Sequence, residues 1–170
     1  MKIVYAIITL LLITTSSNES KENLNTIEVL KDGNDAVAFN ELIETTKKKK
    51  MVVFYSSQHC APCLEQLKTV QENKEELDKN YQLIFVDSWT IGKAKKHQTK
   101  EKALMFYNEN LATKNSVFLL DSDDKLLASY QENEKLAYAL PYLVTQDNDG
   151  SILDETFKLK ESIITTINNL

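Results

Sequence analysis

Residues 51–67 read Met51-Val-Val-Phe-Tyr-Ser-Ser-Gln-His-Cys60-Ala-Pro-Cys63-Leu-Glu-Gln-Leu67 and contain both cysteines of the chain. The apolar run 51–55 is too short for a helix and rich in β-branched and aromatic residues, which predicts a buried strand. After Cys60, Leu64, Leu67 and Val70 recur at three-residue spacing, which predicts a helix. Pro62 suits its first turn, where a missing N–H leaves no bond unmade. The pair therefore lies where a strand ends and a helix begins. Free N–H groups and the positive end of the helix dipole face Cys60 there and favour its thiolate. That is the chemistry of a dithiol cycling through a disulfide.

A second signal lies about 80 residues on, in Leu136-Ala-Tyr-Ala-Leu140-Pro141-Tyr-Leu-Val-Thr145. A proline opens an apolar strand there, and Asp147-Asn-Asp-Gly150 then forms a hairpin turn into Ile152-Leu153. Together with Cys60-Ala-Pro-Cys63, this pattern resembles the thioredoxin superfamily. It is most similar to the extracytoplasmic thioredoxin-like reductases, which carry an insertion between central strands. The resemblance covers residues 26–170. It implies that Cys60 is the attacking thiol and Cys63 the resolving thiol. It also implies a cis peptide at Leu140-Pro141, facing the cysteines as the substrate-docking turn.

The 170 residues are the size of one domain, and a hydrophobic content of 42% is enough for one sizeable core. All twenty basic residues are lysine, and the net charge is −5. That balance argues against a nucleic-acid partner, and the bidentate arginine contacts typical of phosphate recognition are unavailable.

Lys2, the apolar stretch 3–13 and Thr14-Thr-Ser-Ser17 follow the layout of a secretory signal, so residues 1–17 are expected to be a signal peptide. The competing reading is an uncleaved anchor, but eleven apolar residues fall short of the roughly 20 that cross a bilayer. Residues 18–25 read as a flexible leader and 26–170 as the thioredoxin-like domain. Export places the protein in the periplasm or outside the cell, where a thiol pair can be oxidised and partners set its redox poise.

Along the domain, 26–30 is expected to be a strand. Asp35 is expected to cap a helix running to about residue 46, with Val37, Phe39, Leu42 and Ile43 inward. The helix after Cys60 should run to about Asp78, followed by a central parallel strand at 81–86. A helix at 99–111, a strand at 117–120, a short helix at 126–130, the Pro141 hairpin and a helix at 159–168 complete the chain. This alternation means an α/β fold, a mixed sheet with helices on both faces.

Zinc is the main rival use of two cysteines. A structural zinc site takes four ligands, there is no second Cys-x-x-Cys, and the only histidines are His59 and His97. Copper carriers on a related fold use a wider cysteine spacing and a distal histidine. No metal or other cofactor is expected. A peroxidase on this fold would need a Ser or Thr three residues before its cysteine, a proline-rich motif and a nearby arginine. Ser57 has the spacing, but the proline context and the arginine are missing.

His59, where such proteins commonly carry tryptophan, either covers the sulfur or, when protonated, stabilises the Cys60 thiolate. Phe54 stands six residues before Cys60, where many relatives carry a buried acid that shuttles the resolving thiol's proton. Glu65 can substitute or can simply be solvated. Trp89 and Tyr107, Tyr130 and Tyr138 read as core or rim residues, and Tyr142 can border the docking groove.

The expected function is thiol–disulfide exchange on client proteins. Ala61 and Pro62 place no cation between the cysteines, which points to a reductant fed by a membrane or periplasmic thiol donor. The alternative is a non-catalytic binding module that holds a partner peptide along the Pro141 edge.

Overall fold

The computed structural model describes residues 28–32, 35–44, 47–58, 60–88, 99–131 and 139–170. The expected signal peptide and leader, His59, Trp89, His97 and Tyr138 lie outside them. The elements are β1 (Glu28–Lys31), β2 (Asp35–Ala38), α1 (Phe39–Glu44), β3 (Lys49–Tyr55), α2 (Ala61–Asn80) and β4 (Tyr81–Ser88). They continue with α3 (Lys100–Asn110), β5 (Val117–Asp121), α4 (Lys125–Gln131), β6 (Tyr142–Gln146), β7 (Ile152–Thr156) and α5 (Leu159–Asn168).

One seven-stranded sheet runs in the order β2-β1-β5-β4-β3-β6-β7. β3 is its centre, parallel to β4 and antiparallel to β6. Every β3 residue after Lys49 is buried, as a strand covered on both faces requires. The strand period of two sorts its side chains. Met51, Val53 and Tyr55 enter the core under α2, α3 and α5, with Leu67, Val70, Tyr107 and Ile163. Val52 and Phe54 enter the core under α1 and α4, with Phe39, Leu126 and Tyr130. Burying each of these large side chains contributes roughly 1.5–3 kcal/mol, so β3 is anchored from both sides. β4 and β6 both border β3, and the α3–β5–α4 segment runs between them in sequence, which is the expected insertion.

The segment 35–38 corrects the sequence reading. Asp35 does not cap a helix: 35–38 is strand β2, paired residue for residue with β1, and α1 starts only at Phe39. Local capping chemistry is worth about 1 kcal/mol, less than a four-residue ladder that extends the sheet. Asp32, at φ 51°, makes the reversal between the two strands.

Candidate active site

α2 begins at the tip of the central strand. Cys60 is its N-cap, and the Cys60 Sγ accepts a hydrogen bond from the Cys63 N–H at 3.2 Å. The Leu64 N–H donates to the Cys60 carbonyl at 3.1 Å. The sulfur thus takes the place of a capping oxygen, and the donor that satisfies it also stabilises negative charge on it. Cys60 and Cys63 are joined in a disulfide with their Cα atoms 5.1 Å apart. Both are buried in this oxidised form, Cys60 at 4% exposure and Cys63 at 0%. Ala61, Pro62 and Leu64 beside them are exposed and form an apolar rim.

The Leu140–Pro141 bond is cis. The Leu140 carbonyl oxygen lies 3.9 Å from the Cys60 Sγ, across 80 residues of sequence. Leu140 is partly buried and packs against both cores, while Pro141 is buried. Gln131, at the end of α4, holds this turn from behind. Its Nε2 donates to the Ala139 carbonyl at 2.9 Å, and its Oε1 accepts from the Ala139 N–H at 3.1 Å. On the far side of α2, Gln66 Oε1 accepts from the Leu159 N–H at 2.9 Å and ties α5 to the active-site helix.

Glu65 is exposed on α2, so it is a solvated residue of that helix. Phe54 turns away from the cysteines into the opposite core, against the rings of Tyr130 and Tyr142. Tyr142 does not border a groove. It is 1% exposed, packs on Phe157 and donates its hydroxyl to Glu155, because residue 142 shares the inner face with Val144. Among the described residues no group of three or more His, Cys, Asp or Glu side chains is placed to hold a metal ion. Among them, too, no helix is long and apolar enough to cross a membrane.

The buried carboxylate beside the site is one that sequence reasoning missed. Asp87, near the end of β4, is wholly buried. Ser57 Oγ donates to its Oδ2 at 2.5 Å, and the Ser57 N–H donates to its Oδ1 at 3.5 Å. Burial pushes the Asp87 carboxyl up from its ordinary 3.8 to about 7, against the opposing pull of the Ser57 bonds. Next to it Tyr55 is raised well above its usual range by burial first and then by the Asp87 charge. The available signal was an acid closing the apolar run 83–86, but only strand register brings it to the site.

A family model described as AhpC/TSA matches residues 21–155. The chain belongs to that family. Among solved structures it is similar to the pneumococcal exposed lipoprotein thioredoxin Etrx1 of Streptococcus pneumoniae strain TIGR4. That match has 22% identity and a TM-score of 0.55, over 85% of this chain and 98% of that one. A DsbF homologue from Corynebacterium diphtheriae matches at 18% identity and a TM-score of 0.58, over 85% and 83% of the two chains. StoA from Bacillus subtilis matches at 17% identity and a TM-score of 0.56, over 82% and 95%. At these identities the likeness is one of fold, and the fold is thioredoxin-like. A search of curated proteins finds no match.

Proposed function

We propose that this chain is a thiol–disulfide oxidoreductase that reduces disulfides of client proteins outside the cytosol. The supporting observation is the helix-capping sulfur: Cys60 Sγ receives the Cys63 N–H and lies against the Leu140 carbonyl. In the reduced protein that N–H and the helix end lower the cost of a Cys60 thiolate. The thiolate attacks a client disulfide, one client sulfur leaves, and Cys60 carries the mixed disulfide. Cys63 then attacks Cys60 Sγ, the Cys60–Cys63 bond forms, and the second client sulfur departs.

The client strand lies along Leu140 and Pro141 and is held mainly by main-chain contacts, with the exposed Ala61, Pro62 and Leu64 beside it. A thiol donor outside the cytosol returns the site to the dithiol form. Ala61 and Pro62 supply no cation to over-stabilise the thiolate, which supports the reducing direction. The signal-like residues 1–17 support export.

A peroxidase is the other activity a family of this kind suggests. The Ser57 hydroxyl, at the spacing where an activating hydroxyl would stand, donates to Asp87 instead. Exchange therefore accounts for more of the site.

The test is trapping. Cys63→Ser should accumulate a mixed disulfide between Cys60 and a client, and Cys60→Ser should accumulate none. The wild-type protein should also reduce insulin with a dithiol donor. A potential for the pair above about −180 mV would make it an oxidant. A wild-type protein that retains peptide without turnover would make it a binding module.

A further inference from the structure

The ends of β3 and β4 carry a buried polar set that the exchange steps above leave without a task. Asp87 stands beside Tyr55 in the parallel register, with Leu120 of β5 on its other side. Side chains alternate along β4. Leu83 and Phe85 join the core that holds Cys63 and Leu67, whereas Ile84 and Val86 join the opposite one. Asp87 continues the first series, so it stands on the sheet face that α2 covers, the face of Cys63. Ser57, three residues before Cys60, ties its carboxyl to the segment leading into the disulfide.

The ionisable groups around it are few. Tyr55 comes from β3, Tyr107 from α3 acts on Tyr55, Cys63 comes from α2, and Asp121 closes the neighbouring β5. Among the described residues no cation compensates Asp87. The Tyr55 hydroxyl, also buried, has no hydrogen-bond partner among them. An ionisable group kept in such surroundings destabilises the fold when charged, unless its charge is wanted only part of the time.

The exchange cycle contains one step with that requirement. Cys63 is 0% exposed and must lose its proton before it can attack. We propose that Asp87 is the internal proton acceptor for Cys63, acting through the Ser57 segment as a positioning residue of the resolving step. The proposal deepens the oxidoreductase reading and rests on it. The step balances without any outside reagent. The Cys63 thiol, the Asp87 carboxylate and the Cys60–client disulfide give the Cys60–Cys63 disulfide, a protonated Asp87 and a client thiolate. The sulfur–sulfur bond to the client breaks, the internal one forms, and the client sulfur leaves with the electron pair. A carboxyl near neutrality can take a proton from a thiol and give it up again at working pH.

Ellman's reagent separates the two steps in stopped flow. Reduced wild-type protein should release one thionitrobenzoate as Cys60 attacks and a second as Cys63 resolves. Asp87→Asn should leave the first phase unchanged, slow the second roughly 100-fold at pH 7, and remove its inflection near neutral pH. A second phase that keeps wild-type rate and inflection overturns the proposal, and so does an equal slowing of both phases.

Should Asp87→Asn fail to fold, Ser57→Ala gives the answer. Removing bonds that favour the carboxylate must move the inflection to higher pH, and an unmoved inflection overturns the proposal. If the wild-type protein itself releases no second thionitrobenzoate, the oxidoreductase reading fails first and takes this inference with it.

Discussion

Asp87 gives up hydration for two hydrogen bonds from a single residue, and that exchange is unfavourable for its charged form. The consequence for stability has a definite sign. With the folded carboxyl raised to about 7 from its ordinary 3.8, the native state holds a proton that the unfolded chain sheds. The associated stability is complete below about pH 4 and is lost as pH rises through 7. Between pH 5 and pH 8 the oxidised protein should lose about 2–3 kcal/mol that Asp87→Asn, neutral throughout, does not lose. Urea unfolding of both proteins at the two pH values measures this. Parallel loss in the variant would show that the slope comes from another group. Cys60 and Cys63 were legible from their own spacing, because the chemistry of a Cys-x-x-Cys pair at a helix start is local. Asp87 was not. The acid was sought six residues before Cys60, where Phe54 faces the other core, and the buried carboxylate lies on a neighbouring strand.

At the scale of elements, the alternation of strands and helices was readable because β3, β4 and β6 are apolar runs and α2 and α3 keep a helical period. The β1–β2 hairpin was not readable. Its pairing is a contact between two short polar segments, and Asp35 carries a local signal for the opposite outcome. The Pro141 turn was legible as a motif, but its support was hidden in Gln131. That amide satisfies both backbone groups of Ala139, one residue ahead of the turn. Gln131→Leu keeps the volume and removes both bonds, and half-buried backbone groups left unpaired cost about 1–2 kcal/mol together. The expected result is a lower urea midpoint and a fall in kcat/KM for disulfide substrates, with Cys60 alkylation unchanged. Retained kcat/KM alongside lost stability would show that Gln131 supports the fold and not the docking turn.

Over the whole molecule, the two sulfurs sit above a core that does not depend on their bond. β3 is fixed by ladders to β4 and β6, and α2 is fixed by Leu67, Val70 and Leu77 and by the Gln66 bond to α5. The disulfide spans three residues of sequence, so in the chain-entropy account it adds about 2 kcal/mol, less than a bridge across a long loop. A site that must open and close in every cycle requires this arrangement, since a fold held by its redox bond would melt each time it delivered electrons. The reduced protein should therefore keep the far-ultraviolet circular dichroism of the oxidised one. Its thermal midpoint should be lower by only some 5–10 °C, the shift that about 2 kcal/mol produces in a domain of this size. Calorimetry of both forms at pH 7 decides the matter. Cooperative unfolding on reduction would make Cys60–Cys63 a structural staple, and exchange chemistry would then have to be sought elsewhere.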